Sequence, residues 1–360
     1  MSELKQTSLY QKHLELNAKM VDFGGWEMPI QYQNLKEEVI SVRERVGVFD
    51  VSHMGEFYVT GPQALDFVDY IVTNDIRTAA PGKAIYSPML NEQGGIVDDL
   101  IVYKVSDTEL FICVNAANIE KDFSAMSQFS SRFDCKFENL SQNYSLLALQ
   151  GPQSYQVLKE LLPEIKDIGY YSIQILESEK EVKSFIARTG YTGEDGFEIF
   201  GSHNFIERLW SLMMNKSVQP CGLGSRDVLR LEACFSLYGN ELNDELTPLE
   251  TGLKWTVKMA KGDFVGKDAL AESIPRYRLV KLSLEKGIPR AGYPVEDDRG
   301  QQIGVITSGS MSVCLGKGIA LARLDKNLYQ DSEKLNINIR NKIYPAVVNK
   351  KPFISGRTKS

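Results

Sequence analysis

The chain has 360 residues, more than one compact core holds, and 41 Lys and Arg against 47 Asp and Glu leave a net charge of −6. That balance points to two or three domains and away from a strongly basic nucleic-acid binder. With 43% hydrophobic and 24% charged residues, the composition is that of a folded, soluble protein, and no stretch approaches the about eighteen consecutive apolar residues of a membrane span.

The opening Met-Ser-Glu-Leu-Lys-Gln lacks the build of a signal or transit peptide. Cys113, Cys135, Cys221, Cys234 and Cys314 form no Cys-x-x-Cys pair, so reduced thiols in a cytoplasmic setting are the simplest reading. Ser8 is placed to cap a short helix over Leu9 to Leu16, and Gly24-Gly25-Trp26 to make a turn. Asn34 caps a helix from Leu35 to Arg45, with Leu35, Val39 and Val42 on one stripe, and Gly47 stops it.

From Val48 the hydrophobic period changes to two. It predicts strands at Phe57 to Thr60, Ala84 to Leu90, Ile96 to Val105 and Glu109 to Asn115, joined by turns at Asn91 to Gly95 and Ser106 to Thr108. Helices at Pro62 to Val72 and Ile119 to Phe129 interleave, giving an α+β layer with an antiparallel sheet. Further strands are read at Ser145 to Gln150 and Ser184 to Arg188, and helices at Phe205 to Met214 and Arg226 to Leu237. The polar stretch Glu272 to Arg276 is the linker candidate. Beyond it, short strands at Arg278 to Leu284, Gly304 to Thr307, Gly318 to Ala322 and Leu335 to Ile339 lie between Gly, Pro and Asp clusters, as in a small β-barrel or sandwich. From Arg340 onward there are six basic residues and no acid, either a solvated end or a docking point for an acidic partner or polyanion.

Only His13, His53 and His203 occur, with no ligand spacing, so a metal site or a His-based triad is not expected. Asp98-Asp99 interrupts the apolar run Ile96-Val97 and Leu100 to Tyr103, where an unpaired charge is costly. Side chains alternate along a strand, so the two acids face opposite ways, and only one can serve a given pocket. The pair reads either as backbone-bonded acids near a turn or as a working carboxylate.

Arg188 to Glu198 carries glycines at 190, 193 and 196 ahead of a strand rather than a helix, so it is not a dinucleotide loop. It is either a hairpin or a close approach to a flat ligand, and Glu198 at its end could accept parallel N–H bonds from a planar amino-heterocycle. In Gly222 to Glu232, Ser225 is a plausible helix cap, and Arg226 and Arg230 share a face. They form either a salt-bridged face with Asp227 and Glu232 or an anion clamp.

Taken together, Lys19 to Pro29, Gly47 to Gly55, Gly94 to Leu100, Leu149 to Pro152, Arg188 to Glu198 and Gly222 to Glu232 resemble, in order and spacing, the aminomethyltransferase family, the T-proteins of the glycine cleavage system. The resemblance runs from about Leu9 to Phe353. It implies an α+β, three-domain cloverleaf with antiparallel sheets, a C-terminal small β-barrel and a folate channel at the centre. Residues 1–272 would form the folate-binding region, with about 51–141 as the leaf carrying Asp99, and residues 278–355 the barrel.

The implied reaction moves the methylene carbon from aminomethyl-dihydrolipoyl H-protein to tetrahydrofolate, giving 5,10-methylenetetrahydrofolate and ammonia. Asp99 stands at the family's catalytic acid, where it would stabilise the positive charge that develops as ammonia departs. Glu198 and Arg230 map to the pterin site, with Tyr86, Asn115 and Tyr191 as further ligand contacts and Met54 beside them. Lys350 to Phe353 fits the family's C-terminal pattern, whereas the residues after Phe353 do not supply its late tyrosine. The basic tail would meet the glutamate end of folate or the H-protein. No metal, membrane or nucleic-acid partner is implied.

Relatives of the same fold do other work. A folate-binding RNA-modification or iron–sulfur maintenance protein would carry Lys-Gly-Cys, whereas here Lys261-Gly262 precedes Asp263 and Lys317-Gly318 precedes Ile319. Demethylating flavoenzymes append a nucleotide-binding domain that this chain lacks. A non-catalytic folate-binding module is the remaining alternative, and it would release no ammonia.

Overall fold

A computed structural model describes residues 3–176, 182–329 and 334–356. The first helix, Tyr10–Glu15, has Leu9 at its N-cap and no side-chain cap. Ser8 does not cap it as expected, because its hydroxyl is taken by Ser145 Oγ at 2.9 Å. The turn at Gly24 and Gly25 joins strands Lys19–Phe23 and Trp26–Gln31 into a hairpin. Helix Leu35–Glu44 starts where the sequence places it, with Asn34 accepting the Lys36 N–H and with Val39 and Val42 buried.

The expected antiparallel layer is a five-stranded sheet in the order Lys83–Leu90, Ile96–Ser106, Glu109–Val114, Gly55–Thr60, Lys136–Asn139. Helices Ala64–Ile71 and Ile119–Ser130 cover its outer face, where Phe67 and Met126 pack on Phe57, Val59, Leu100, Val102 and Ile112. Strand alternation then sends Ile101, Tyr103, Phe111 and Cys113 to the inner face.

A second sheet has six strands, in the order Ile173–Leu176, Ser184–Ala187, Gly196–Gly201, Ser145–Gln150, Gly47–Asp50, Gln219–Pro220, the last pair parallel. Its outer face packs Leu147, Leu149 and Ile199 against Phe205, Leu209 and Trp210 of helix His203–Asn215. Its inner face meets the first sheet through aromatic edges, with ring centroids 4.8 Å apart for Phe111–Phe185 and 5.3 Å for Tyr103–Phe200. Facing sheets of this kind form one core between them.

Helix Leu223–Glu232 begins three residues before the expected Arg226 and ends five before Leu237. Ser225 is not its cap. Gly222 takes that place, its N–H donating to Glu38 Oε2 at 2.9 Å, while Ser225 Oγ donates back to Gly222 O at 2.8 Å. A Cβ at Gly222 would come within 2.4 Å of the Ile30 backbone, which excludes a larger capping residue. The helix is followed by Cys234 in the left-handed region, φ 62°.

Past Ser273–Arg276, strands Tyr277–Leu284, Gly318–Asp325, Gln302–Met311, Pro294–Glu296, Leu335–Ile339 and Lys342–Asn349 close a barrel around Leu282, Ile306, Ala322 and Leu324. The barrel rests on the same helix, where Leu231 packs against Ile319, Leu321 and Phe353.

Candidate active site

Asp98 and Asp99 lie on opposite faces of strand Ile96–Ser106, as alternation requires. Asp98 is fully buried toward the helical layer, while Asp99 is half-buried and faces inward. Tyr86 reaches Asp99 from the neighbouring strand, where it pairs with Ile101, and its hydroxyl donates to Asp99 Oδ2 at 2.9 Å. Asn115, just past strand Glu109–Val114, donates Nδ2 to Asp99 Oδ1 at 3.0 Å and to Asp98 Oδ1 at 2.8 Å. Burial and the neighbouring Asp98 charge raise the Asp99 carboxyl to about 7, against the lowering effect of the Tyr86 and Asn115 bonds. A carboxyl poised there can hold or release a proton near neutrality.

Glu198 faces the same space from the second sheet, on the inner side of strand Gly196–Gly201 with Phe200. Its Oε2 accepts Thr189 Oγ1 at 2.6 Å and Tyr103 Oη at 3.4 Å, and Oε1 has no donor among the described residues. Tyr191, from the loop before that strand, stacks on Phe235 at 5.8 Å and donates its hydroxyl to Ser236 O. Met54 packs half-buried against the inner-face cluster. Tyr86 also stacks on Trp255, centroids 6.0 Å apart, and Trp255 is 61% exposed.

The two arginines of helix Leu223–Glu232 separate into different roles. A guanidinium has five N–H donors, and most of those of Arg230 are spent on protein. Nε and Nη2 meet Asp227 Oδ1 at 2.8 and 2.7 Å, Nη1 meets Phe235 O and Glu241 Oε2 at 3.1 and 3.2 Å, and Nη2 meets Ser308 Oγ at 2.8 Å. In this arrangement four of the five Arg230 N–H groups are hydrogen-bonded to protein, and the second Nη2 contact, to Asp227, is an ion pair. Arg226 is the reverse: its guanidinium lies over the Tyr191 ring at 4.7 Å, and Nη1 is enclosed with no partner. Burial lowers its pKa while the Glu198 charge supports it. The resemblance gives the pterin contact to Arg230, while the residues alone pair the two arginines without choosing between salt bridge and clamp, because the deciding acceptors, Glu241 and Ser308, come from other segments. Glu232, expected near them, instead pairs with Arg43 at 2.8 Å.

Other buried groups without partners cluster around the same space. Both Glu56 oxygens and His53 Nδ1 are unsatisfied. Burial, with the Arg226 charge adding to it, lowers His53 to about 4, and burial pushes the Glu56 carboxyl well up. Strand alternation puts Glu56 opposite Cys113 on the inner face. Unsatisfied buried polar groups are rare in folded proteins, and each calls for a functional or structural explanation. Sequence reading did not reach Trp255 or Glu56. Glu56 carried a signal, a charged residue within a buried strand, and Trp255 carried none. Among the described residues no group of three His, Cys, Asp or Glu is arranged to hold a metal ion, and no helix is long and apolar enough to cross a membrane.

The description "GCVT N-terminal domain" matches residues 9–261, and "Glycine cleavage T-protein C-terminal barrel domain" matches residues 278–354. The chain is 46% identical to an aminomethyltransferase of Thermosipho melanesiensis, covering 99% of each chain. It is 47% identical to that of Thermotoga maritima, covering 98% of each. The crystal structure of the glycine cleavage system aminomethyltransferase T from Bartonella henselae superposes with a TM-score of 0.93 at 32% identity, over 99% of this chain and 100% of that one. Similarity of this extent, over both sheets and the barrel, means that the chain belongs to the aminomethyltransferase family, the T-proteins of the glycine cleavage system.

Proposed function

We propose that this protein transfers the methylene carbon of aminomethyl-dihydrolipoyl H-protein to tetrahydrofolate, releasing ammonia, as a cytoplasmic enzyme of glycine catabolism. The single observation that carries the reading is Asp99: a carboxyl raised to about 7, held by Tyr86 and Asn115, on the inner face of the molecule. The fit to a folate rests on the polar groups left without partners there. Glu198 Oε1 suits an N–H edge, Arg226 Nη1 suits an acceptor, and the Tyr191, Tyr86 and Trp255 rings offer faces for stacking. Tetrahydrofolate supplies, when bound, the nitrogens that take up the carbon unit.

The protein's own work is positional and electrostatic. Tyr86 and Asn115 fix both oxygens of Asp99, so the carboxyl meets developing positive charge without reorganising. Glu198, Tyr191, Asn115 and Met54 bind the ligand. Arg226 contacts it directly, and Arg230 braces the helix against the barrel through Ser308. We further propose 1–272 as the folate-binding region, with about 51–141 as the leaf that carries Asp99, and 278–355 as the barrel domain. Lys350 and Lys351 are proposed to meet an acidic face of the H-protein, while Arg357 and Lys359 lie outside the described residues.

The test is ammonia release from aminomethyl-lipoyl H-protein with and without tetrahydrofolate. Folate-dependent turnover is expected. Folate binding with no ammonia released would instead make the chain a binding module.

A further inference from the structure

Asp98 is the hydrogen-bonding hub behind the site. Its Oδ1 accepts Asn115 Nδ2 at 2.8 Å and Asn118 Nδ2 at 2.7 Å, and its Oδ2 accepts the Asn115 backbone N–H at 3.0 Å. A carboxylate offers about four lone-pair positions, so one remains on Oδ2. The side chain beside Asp98 that lacks a donor is that of Asp122, from the first turn of helix Ile119–Ser130, and it lies within hydrogen-bonding reach of the Asp98 carboxylate. Asp122 is fully buried, and neither of its oxygens has a donor. As an anion it would leave two charged oxygens unsolvated beside a second carboxylate, an arrangement that costs far more than keeping the proton. Burial, followed by the Asp98 charge, accordingly pushes Asp122 up to about 11.

We propose that Asp122 is a neutral carboxylic acid that donates its proton to Asp98, and that this bridge fixes the turn of Asn115 and Asn118 and, through Asn115, the carboxyl of Asp99. Asp122 is thus a positioning residue for Asp99. Only this last link rests on the transferase reading above.

The other groups around the bridge leave Asp122 no better partner. Lys121 lies nearby, but its ammonium donates to Val97 O at 2.7 Å and Tyr238 Oη at 2.6 Å and pairs with Asp244 at 3.5 Å. Asp99 is faced by Asp98, Tyr86, Asn115 and Tyr191. Each donor on Asp98 draws off charge that would otherwise act on Asp99. Loss of the Asp122 proton therefore moves the Asp99 midpoint upward, whereas an amide at 122 keeps a donor in the same place.

The experiment uses the full chain and two substitutions. In the infrared difference spectrum between wild type and Asp122→Asn at neutral pH, the C=O stretch of a protonated acid is expected from the wild type. The Asp99 midpoint, read by carboxyl-carbon NMR and by the pH profile of folate-dependent ammonia release, should stay in place in Asp122→Asn and rise by about one pH unit in Asp122→Leu. Absence of the acid band, or a downward move of the midpoint in Asp122→Asn, would mean that Asp122 is an anion and would overturn the proposal. An unmoved midpoint in a folded Asp122→Leu would do so too. Should Asp122→Leu not fold, the band and the Asp122→Asn midpoint decide alone. Neither the infrared nor the NMR reading needs turnover, so a wild type without ammonia release would count against the transferase reading while leaving this test intact.

Discussion

Asp99 carries two opposed consequences of its surroundings. Its carboxyl titrates near 7 instead of near the ordinary value of about 4, because burial and Asp98 outweigh the bonds from Tyr86 and Asn115. Between those values the folded protein holds a proton that the unfolded chain has released, so this residue's contribution to stability falls as pH rises from about 4 to about 7. Asp99→Asn should remove that slope and raise the melting temperature at pH above about 7, as active-site charges commonly trade stability for function. Its ammonia release should fall at least about 100-fold, with tetrahydrofolate affinity changed by less than about threefold. Thermal denaturation from about pH 4 to 8, alongside single-turnover ammonia release, checks both parts, and activity within about twofold of wild type would remove the assigned role. On the ligand side, Glu198→Ala and Arg226→Ala should each weaken tetrahydrofolate binding at least about tenfold, since each strips a charge-assisted partner from the site. Arg230→Ala should chiefly lower the melting temperature, because four of its N–H groups already serve Asp227, Glu241, Phe235 and Ser308. Calorimetric titration of the three variants separates these cases. The difference between the arginines was not legible in the chain. Their spacing says only that they share a face, and Glu241 lies eleven residues beyond Arg230, on a segment with no regular period.

Elements were legible where a local cause sets them. Asn34 starts its helix through one side-chain bond, and the strands from Gly55–Thr60 to Glu109–Val114 follow a period of two interrupted by register shifts at Met89/Leu90 and Lys104/Ser106. Gly222 shows the opposite case, because the close approach of Ile30 that selects glycine there comes from a distant strand. The pairing of Gln219–Pro220 with Gly47–Asp50 is also invisible locally, being parallel and about 170 residues apart. The turn before strand Ile96–Ser106 combines both kinds of cause. Asn91 holds it from within, accepting the Gly95 N–H on Oδ1 at 2.9 Å, and ties it to Asp244 O through Nδ2 at 3.0 Å. A Cβ on Gly95 would sit 1.8 Å from that same Asp244 oxygen. Gly95→Ala therefore must push the turn and the Asp244 segment apart, at a cost of about 1–3 kcal/mol. It should also lower ammonia release, because Asp98 and Asp99 begin only three residues later. Urea denaturation and activity measured together check this, and unchanged stability would show that the two segments can separate freely.

At the scale of the whole molecule, the separate barrel was legible from its short strands and frequent turns, whereas its closure was not. Closure depends on Tyr277–Leu284 pairing with both Gly318–Asp325 and Lys342–Asn349, contacts that join the ends of the domain. The same closure brings Lys350 and Lys351 back to Lys317 along a groove that also holds Leu315, Val348 and Phe353. The protein as a whole is acidic at −6, so this exposed basic edge stands against the general field and can orient an acidic partner during encounter. Such steering acts over a Debye length of about 8–10 Å at ordinary salt and fades as salt rises. If the H-protein approaches here, its KM in the wild type should increase with added salt. In Lys350→Gln/Lys351→Gln, KM should start about three- to tenfold higher at low salt and converge on the wild-type value at high salt. kcat should not change, because neither lysine touches the groups around Asp99. Identical salt dependence in the two proteins would place the encounter on another face, and a fall in kcat with unchanged KM would mean that the C-terminal segment acts at the site itself.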